Sequence, residues 1–395
     1  MKTDEIKSLT EAHIINTYGA RNIAFVRGKG TSLWDAEGNE YLDFFGGIAV
    51  TALGHCHPKV TDAITKQAAT LVHVSNLYLT QPCAELAALL SKHSFADRWF
   101  FSNCGATAIE ASIKLARRYW AQQGAPKPAI VSMQQSFHGR TMAAITATGQ
   151  PKYHEGFAPM LPGIVHVPFN DHAALMKALT DDVGAVLLEP IQGEGGIRVV
   201  DAEYIKSVRA LCDARNILLI FDEIQCGMGR TGTLFAHEQF GVTPDIIALA
   251  KALANGMPIG AMGCVEKVAS GFSVGSHAST FGGNPVCTAA AIATLETMLE
   301  PGFLDHVKQA GGYFIEKLNG LKAKHAGIVE VRGKGLLIGV EMKETVAPVI
   351  AKMLEARIVC GSAGPSVLRF APPLIVTNEQ VDHVAATLDQ VLGVS

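Results

Sequence analysis

Two apolar runs end in groups that could do chemistry. Residues 217–221 run straight into Asp222-Glu223, and residues 246–249 stop two positions before Lys251. In an open α/β sheet, ligands sit beyond the carboxyl ends of the strands. An acid and a lysine at two such ends could therefore face one ligand. The chemistry that suits the pair is that of pyridoxal phosphate: a lysine condenses with the aldehyde, and an acid keeps the pyridine nitrogen protonated so that the ring accepts electrons. Each residue alone has a plainer reading. An acid after a strand is most often a helix cap or a surface charge, and a lysine is most often solvated.

Other residues could complete such a site. Ser102-Asn103-Cys104-Gly105-Ala106-Thr107 lies just before a helical pattern over residues 109–120. Free N–H groups at a helix start bind phosphate, and glycine permits close approach; taken alone, Ser102 or Asn103 is an ordinary cap. Phe137-His138-Gly139-Arg140 follows an apolar run at 129–132. Phe137 could stack on an aromatic cofactor and Arg140 could pair with a carboxylate, or they are a core aromatic and a surface arginine. Arg369 stands in the apolar segment 367–374. A buried arginine needs an anion, either structural or a substrate carboxylate. Glu194 lies within Gly193-Glu194-Gly195-Gly196, where the glycines let its backbone enter a crowded site.

Two patterns point elsewhere. Gly227-Met228-Gly229-Arg230-Thr231-Gly232 fits G-x-G-x-x-G. A dinucleotide fingerprint, however, begins directly at the strand end and opens the first βα unit, whereas here Asp222-Glu223-Ile224-Gln225-Cys226 intervene in mid-chain. His55-Cys56-His57 lacks further ligands at supporting spacing and reads as a turn before Pro58, so no metal is expected.

These residues need a scaffold. From about residue 80 helical and strand patterns alternate: a helix at 83–90, strands at 129–132, 164–167, 185–188, 217–221 and 246–249, and a helix at 202–214. Buried runs between helices predict a mostly parallel sheet covered on both faces. Short runs at 23–26, 32–34 and 41–45 predict a small antiparallel sheet. Beyond residue 284 come long helical patterns at 285–299 and 303–321, strands near 328–331, 336–341 and 367–370, and helices at 346–356 and 378–392. Val26-Arg27-Gly28-Lys29-Gly30 is echoed by Val331-Arg332-Gly333-Lys334-Gly335, which reads as two similar strand turns rather than a repeat architecture.

Composition narrows the class. The chain has 395 residues and a net charge of −3, and only 17% of its residues are charged, against about 25% in a typical domain. Much surface must be buried in a core, an interface or both. The near-neutral balance argues against nucleic acid and anionic membrane as partners. No long apolar run suggests a membrane span, and Asp4, Glu5 and Glu11 interrupt the start, so no signal peptide is expected. The 8 cysteines, with no C-x-x-C, read as reduced cytoplasmic thiols. The 39 glycines suggest tight turns or backbone close to a ligand.

Taken in order, these segments resemble the class III, fold-type I pyridoxal-phosphate aminotransferases. The resemblance runs from about residue 23 to the C-terminus. It is carried by Gly46-Gly47-Ile48-Ala49-Val50-Thr51-Ala52-Leu53-Gly54-His55, by Phe137-His138-Gly139-Arg140, and by Glu189-Pro190-Ile191-Gln192-Gly193-Glu194-Gly195-Gly196. It continues through Asp222-Glu223-Ile224-Gln225-Cys226 and the glycines after it, Ala250-Lys251-Ala252-Leu253, His277-Ala278-Ser279-Thr280-Phe281-Gly282-Gly283-Asn284-Pro285 and Leu368-Arg369-Phe370-Ala371-Pro372. Each segment is weak alone; the order is specific.

The resemblance implies an α/β fold: a large domain with a mostly parallel seven-stranded sheet flanked by helices, plus a smaller α+β domain. Residues 1–55 would contribute to the small domain, 56–284 would bind the cofactor, and 285–395 would form the rest. It implies that Lys251 joins the cofactor and shuttles a proton, that Asp222 pairs with the ring nitrogen, and that Gln225 lies near the ring hydroxyl. Glu223 and Ile224 would line the cofactor beside them, Phe137 would stack on the ring, and Gly105 and Ala106 would donate backbone N–H groups to the phosphate. Thr280 would reach the partner subunit's phosphate in a homodimer with sites at the interface, with Ser279 near the substrate. Arg140 would hold one substrate carboxylate and Arg369 another, with Glu194 neutralising Arg369 when the ω-amine donor is bound. The segments after Gln225 and Arg369 favour the acetylornithine branch, which implies transfer of the terminal amino group of N2-acetylornithine to 2-oxoglutarate, a step of arginine biosynthesis. Ornithine, succinylornithine, succinyldiaminopimelate and 4-aminobutyrate are the alternative donors. Cys104, Thr107 and Ile109 depart from the family's usual Ser, acidic residue and Asn in the phosphate-binding turn.

Overall fold

The computed structural model describes residues 1–393. Its central sheet has seven strands, in the order Arg98–Ser102, Gly260–Cys264, Ile246–Leu249, Leu218–Asp222, Val183–Leu188, Ala129–Met133, Ile164–Val167. Only Gly260–Cys264 runs antiparallel to its neighbours. The three middle strands, Ile246–Leu249, Leu218–Asp222 and Val183–Leu188, are buried at every position, as expected where helices cover both faces. Alternate residues serve opposite layers: Ile220 and Ala248 pack under helix Gly105–Gln122, and Leu219 and Phe221 pack under helix Ala202–Arg215. Asp222 stands in register with Ala248 on the neighbouring strand, so Asp222 and Lys251 leave the sheet side by side.

The strand pair Arg98–Ser102 and Gly260–Cys264 has no counterpart in the sequence expectations. Gly260-Ala261-Met262-Gly263-Cys264 carries no β-branched residue, so it lacks the usual strand signal. Its glycine has a packing cause: a Cβ on Gly263 would lie 2.6 Å from the Trp99 ring. Helices Thr3–His13 and Pro58–Thr70 are likewise additions to the expected elements.

Two smaller sheets flank this layer. Phe25–Lys29, Ser32–Asp35 and Glu40–Asp43 form the expected antiparallel meander. Ile358–Val359 adds to it in parallel, so the two ends of the chain share one sheet. The other sheet holds Ile328–Lys334, Leu337–Met342, Val367–Phe370 and Gly361–Ser362. Phe44 from the first part meets Phe314 from helix Phe303–Lys324 and Phe370 edge to face in one core, with Phe44 and Phe314 centroids 5.5 Å apart. That shared core fixes Arg369, beside Phe370, relative to the large sheet. Among the described residues no helix is long and apolar enough to cross a membrane.

Candidate active site

A cleft of about 460 Å³ opens at the carboxyl ends of the central strands. Asp222, Lys251, Phe137, Gly105, Ala106, Arg140, Ile224 and Gln225 all line it. The structure thus gathers into one place eight residues singled out from the sequence.

At the floor, Asp222 is held on both oxygens. Its Oδ2 lies 2.7 Å from His138 Nδ1, and its Oδ1 accepts from Ile224 N at 3.0 Å. His138 is buried and fixed in turn: its backbone N donates to Thr148 Oγ1 at 2.9 Å, and its Nε2 lies 3.3 Å from Ser132 Oγ. A carboxylate in such a frame has little freedom to turn.

Lys251 opens a short 3-10 turn, Lys251–Ala254, with a left-handed backbone at φ 47°. Asn255 closes the turn, and its side chain accepts from Leu53 N at 2.8 Å and donates to Gly54 O at 3.0 Å. Burial pushes the Lys251 amine below its ordinary value of 10.5; Glu194 opposes the shift, Arg369 adds to it, and Asp222 and Glu189 oppose it more weakly. The ammonium form is the one that burial penalises.

At the far end of the cleft, the 18-residue helix Gly105–Gln122 points its N-terminus inward. The amides of Gly105 and Ala106 have no partner within the helix. Thr107 Oγ1 accepts from Asn103 N at 3.2 Å and Cys104 N at 3.0 Å and donates to the Cys104 carbonyl at 2.9 Å. A hydroxyl therefore orders this turn. Ile109 is buried in the core of the sheet. Gly139, at φ 134°, passes so close that a Cβ would lie 2.6 Å from Ala106 Cβ.

Arg369 and Glu194 form a cluster with Gln225; of the three only Gln225 lines the cleft, so the pair stands behind it. Arg369 Nη1 donates to Glu194 Oε1 at 2.5 Å and to Gln225 Oε1 at 3.0 Å, and Nη2 reaches Glu194 Oε2 at 3.4 Å. The Arg369 side chain is 3% exposed and that of Glu194 22%. Arg369 Nε is buried without a partner. Burial raises the Glu194 carboxyl, but the charge and hydrogen bond of Arg369, with Lys251 and Gln225, together outweigh it and hold the group below its ordinary value. Arg140, exposed, lies over the Tyr153 ring at 4.2 Å and the Phe137 ring at 5.6 Å.

Besides Glu194 and Arg369, three expected residues do not line the cleft. Glu223 is a correction as a side chain facing the cofactor: its carboxylate turns away and accepts from Ala236 N at 2.5 Å and His237 N at 2.8 Å, with His237 Nδ1 also at 2.8 Å. The strand ends at Asp222, and the chain turns there so that the two carboxylates point to different partners. Ser279 lies at the cleft's margin, its Oγ donating to Asn103 Oδ1 at 3.4 Å. Thr280 is exposed and does not line the cleft of its own chain.

Three lining or supporting residues were not singled out beforehand. His138 sits in plain view inside Phe137-His138-Gly139-Arg140. Tyr153 carries no motif. Glu189 is a buried acid of the cleft wall that accepts from Phe137 N at 3.1 Å and Gly193 N at 3.4 Å. Burial, reinforced by Asp222, pushes its carboxyl well above the ordinary range. An acid followed by proline after the apolar run 183–188 was the available signal.

Segment 227–232 does not form a dinucleotide site. It is followed by a five-residue 3-10 turn, Ala236–Phe240, not by the helix whose N-terminus would face a pyrophosphate. Its arginine, Arg230, is fully buried and donates to the carbonyls of Leu336 and Pro372, at 3.2 and 2.5 Å; burial pushes it down to about 9. The segment thus ties the large sheet to the C-terminal part. His55 Nε2 pairs with Asp43 Oδ2 at 2.7 Å, and among the described residues no cluster of ligating side chains is placed to hold a metal ion.

The sequence model of the class-III aminotransferases matches residues 15–392. The chain belongs to the class-III aminotransferases. It is a transaminase, and its cofactor is pyridoxal 5′-phosphate, as in that family. An acetylornithine aminotransferase from Caldanaerobacter subterraneus subsp. tengcongensis is 50% identical over 383 residues, 96% of this chain and 97% of its own. Among solved structures, the N-acetylornithine aminotransferase from Stenotrophomonas maltophilia K279a is 36% identical with a TM-score of 0.85, covering 98% of each chain. The ornithine aminotransferase from Toxoplasma gondii ME49 is 32% identical with a TM-score of 0.96, covering 100% of this chain and 96% of that one.

Proposed function

We propose that this class-III aminotransferase moves the terminal amino group of N2-acetylornithine to 2-oxoglutarate, giving N-acetylglutamate 5-semialdehyde and glutamate by a ping-pong route. The Glu194–Arg369 pair carries this reading. A transaminase of this kind must seat two unlike substrates in one cleft. The ω-amine donor brings no carboxylate near the reacting carbon, and a bare buried arginine there would be an uncompensated charge. Glu194 covers Arg369 while the amine reacts and yields it to the α-carboxylate of 2-oxoglutarate or glutamate. The names of the relatives support acetylornithine as the donor.

The residues present fit the cofactor. A helix start offers free amides at one end of the cleft, Asp222 faces it from the floor, and Phe137 and Lys251 stand on its walls. When bound, pyridoxal phosphate supplies an electrophilic aldehyde and an electron-accepting ring. Gly105 and Ala106 N–H groups hold the phosphate. Asp222 Oδ2, oriented by His138, keeps the ring nitrogen protonated, and Phe137 stacks on the ring. Gln225 reaches the ring hydroxyl as well as Arg369, and the Ile224 side chain packs against Gly105. Lys251 Nζ would hold the aldehyde end of the cofactor and would carry the proton at the substrate carbon. Arg140, seated on Tyr153, holds the donor's carboxylate, with Ser279 beside it. Thr280 serves the phosphate of the partner subunit in a homodimer. The same proposal keeps residues 1–55, 56–284 and 285–395 as the organisational units and the cytoplasm as the location.

Ornithine is the second reading, favoured by the fold likeness to an ornithine aminotransferase. The test is a donor panel of N-acetylornithine, ornithine, succinylornithine, succinyldiaminopimelate and 4-aminobutyrate, each with 2-oxoglutarate. N-acetylornithine is expected to give the highest kcat/KM. A preference for any other member overturns the proposed donor.

A further inference from the structure

Glu194 sits at the tip of a hairpin. Its strands are Ile191–Gln192 and Arg198–Val199, paired antiparallel, so residues 193–197 form the turn. This hairpin lies on the same small sheet that presents Arg369. In that sheet Arg332 is opposite Gly339, and Gly339 is opposite Arg369. Cross-strand partners project to one face, so two arginines flank a glycine. The space above the glycine is taken by Ile197, fully buried: a Cβ on Gly339 would lie 3.0 Å from Ile197 Cβ.

Arg332 closes the arrangement. Its Nε donates to Gly196 O at 2.8 Å. Its Nη1 donates to Glu330 Oε2 at 2.6 Å and to Glu341 Oε2. The same carboxylates hold Arg198, which follows Ile197, at 3.3 and 2.9 Å. The Arg332 side chain is only 9% exposed, and its Nη2 is buried without a partner. A bridge between two partly exposed carboxylates would not require a guanidinium pressed against the hairpin with one donor unpaired, since an unpaired buried donor is costly. The bond to Gly196 O gives that placement a purpose.

We propose that Arg332 is a positioning residue of the carboxylate exchange. It fixes the hairpin backbone two residues from Glu194, so that Glu194 leaves and regains Arg369 by side-chain rotation alone. This rests on the reading of Glu194–Arg369 as a switch. The bonds of Arg332 go to Gly196, Glu330 and Glu341, so it acts through the hairpin.

The test measures each half-reaction of the holoenzyme in single turnovers, N-acetylornithine in one and 2-oxoglutarate in the other. In Arg332→Gln the hairpin loosens and Arg369 stands uncovered when the amine arrives. The amine half-reaction is expected to fall about tenfold and the 2-oxoglutarate half-reaction by less than about twofold. Glu330→Gln keeps the bond to Gly196 and is expected to retain the wild-type ratio of the two rates. An equal fall of both rates in Arg332→Gln, no change in either, or the same altered ratio in Glu330→Gln overturns the proposal. If Arg332→Gln does not fold, Arg332→Lys is read by the same ratio, with a smaller selective loss expected and an unchanged ratio contradicting it. Glu194→Gln separates the two ideas. If it alters the ratio and Arg332→Gln does not, only the role of Arg332 fails; if it leaves the ratio unchanged, the switch fails and the role of Arg332 with it.

Discussion

Asp222, in the cleft, and Glu194, behind it, are each held by a nitrogen-bearing side chain, but the two pairs are built for different tasks. Asp222 is 3% exposed, with His138 on one oxygen and the Ile224 amide on the other. It ends a central strand, and its partner is pinned by Thr148 and Ser132. Glu194 sits on a hairpin tip with its side chain 22% exposed, and all its hydrogen bonds come from side chains, those of Arg369 and Gln225. A fully framed carboxylate suits a charge that must never move. One held only by side chains, at the edge of solvent, suits a charge that must step aside. The difference separates the part of the site that both substrates use from the part that distinguishes them.

Breaking the fixed pair should therefore harm both halves of the reaction alike. Asp222→Asn is expected to lower both half-reaction rates about a thousandfold, read by single-turnover absorbance. A loss confined to one half would erase the contrast. His138→Gln acts through Asp222, and its expected loss is about ten- to a hundredfold, again equal in both halves. Glu223→Gln tests the adjacent acid, which faces the other way. It should leave the ratio of half-reactions intact while costing about 1–3 kcal/mol of stability, because it disturbs buried hydrogen bonds to Ala236 and His237. Denaturant unfolding measures that cost.

The smallest effect is a pH shift. Lys251 titrates below its ordinary value of 10.5 through burial, with Glu194 opposing and Arg369 assisting. A lowered folded-state value means that the unfolded chain binds the extra proton between that value and 10.5. The cofactor-free protein therefore gains stability as pH rises through this window. Glu194→Gln removes an opposing charge, so the pH midpoint for covalent capture of pyridoxal phosphate should move to more acid values. Arg369→Gln should move it to more alkaline ones. Shifts of the opposite sign would show that the pair does not act on the lysine.

The contrast between the pairs was only partly legible in the sequence. Asp222 and Lys251 could be read because each follows an apolar run that can only be a buried strand, and strand ends are where ligands sit. Glu194 and Arg369 stood out as a charge among glycines and a charge among apolar residues. The outward turn of the Glu223 carboxylate was not legible, because it depends on the amides of Ala236 and His237 more than ten positions away. Glu189 and His138 lay within quoted motifs, but their roles depend on contacts between loops distant in sequence. Gly260–Cys264 was invisible as a strand because its glycines answer to close neighbours, Gly260 to Cys104 O and Gly263 to the Trp99 ring, not to local propensity. The Arg332 contact with Gly196 spans 136 positions and two sheets, and no local pattern announces it.

The most direct measurement of the central claim is the pair of half-reaction rates in Glu194→Ala. The account predicts a selective loss with N-acetylornithine, about tenfold, while the 2-oxoglutarate half-reaction holds or improves. Equal rates to the unaltered enzyme in both halves, or an equal fall in both, would contradict it.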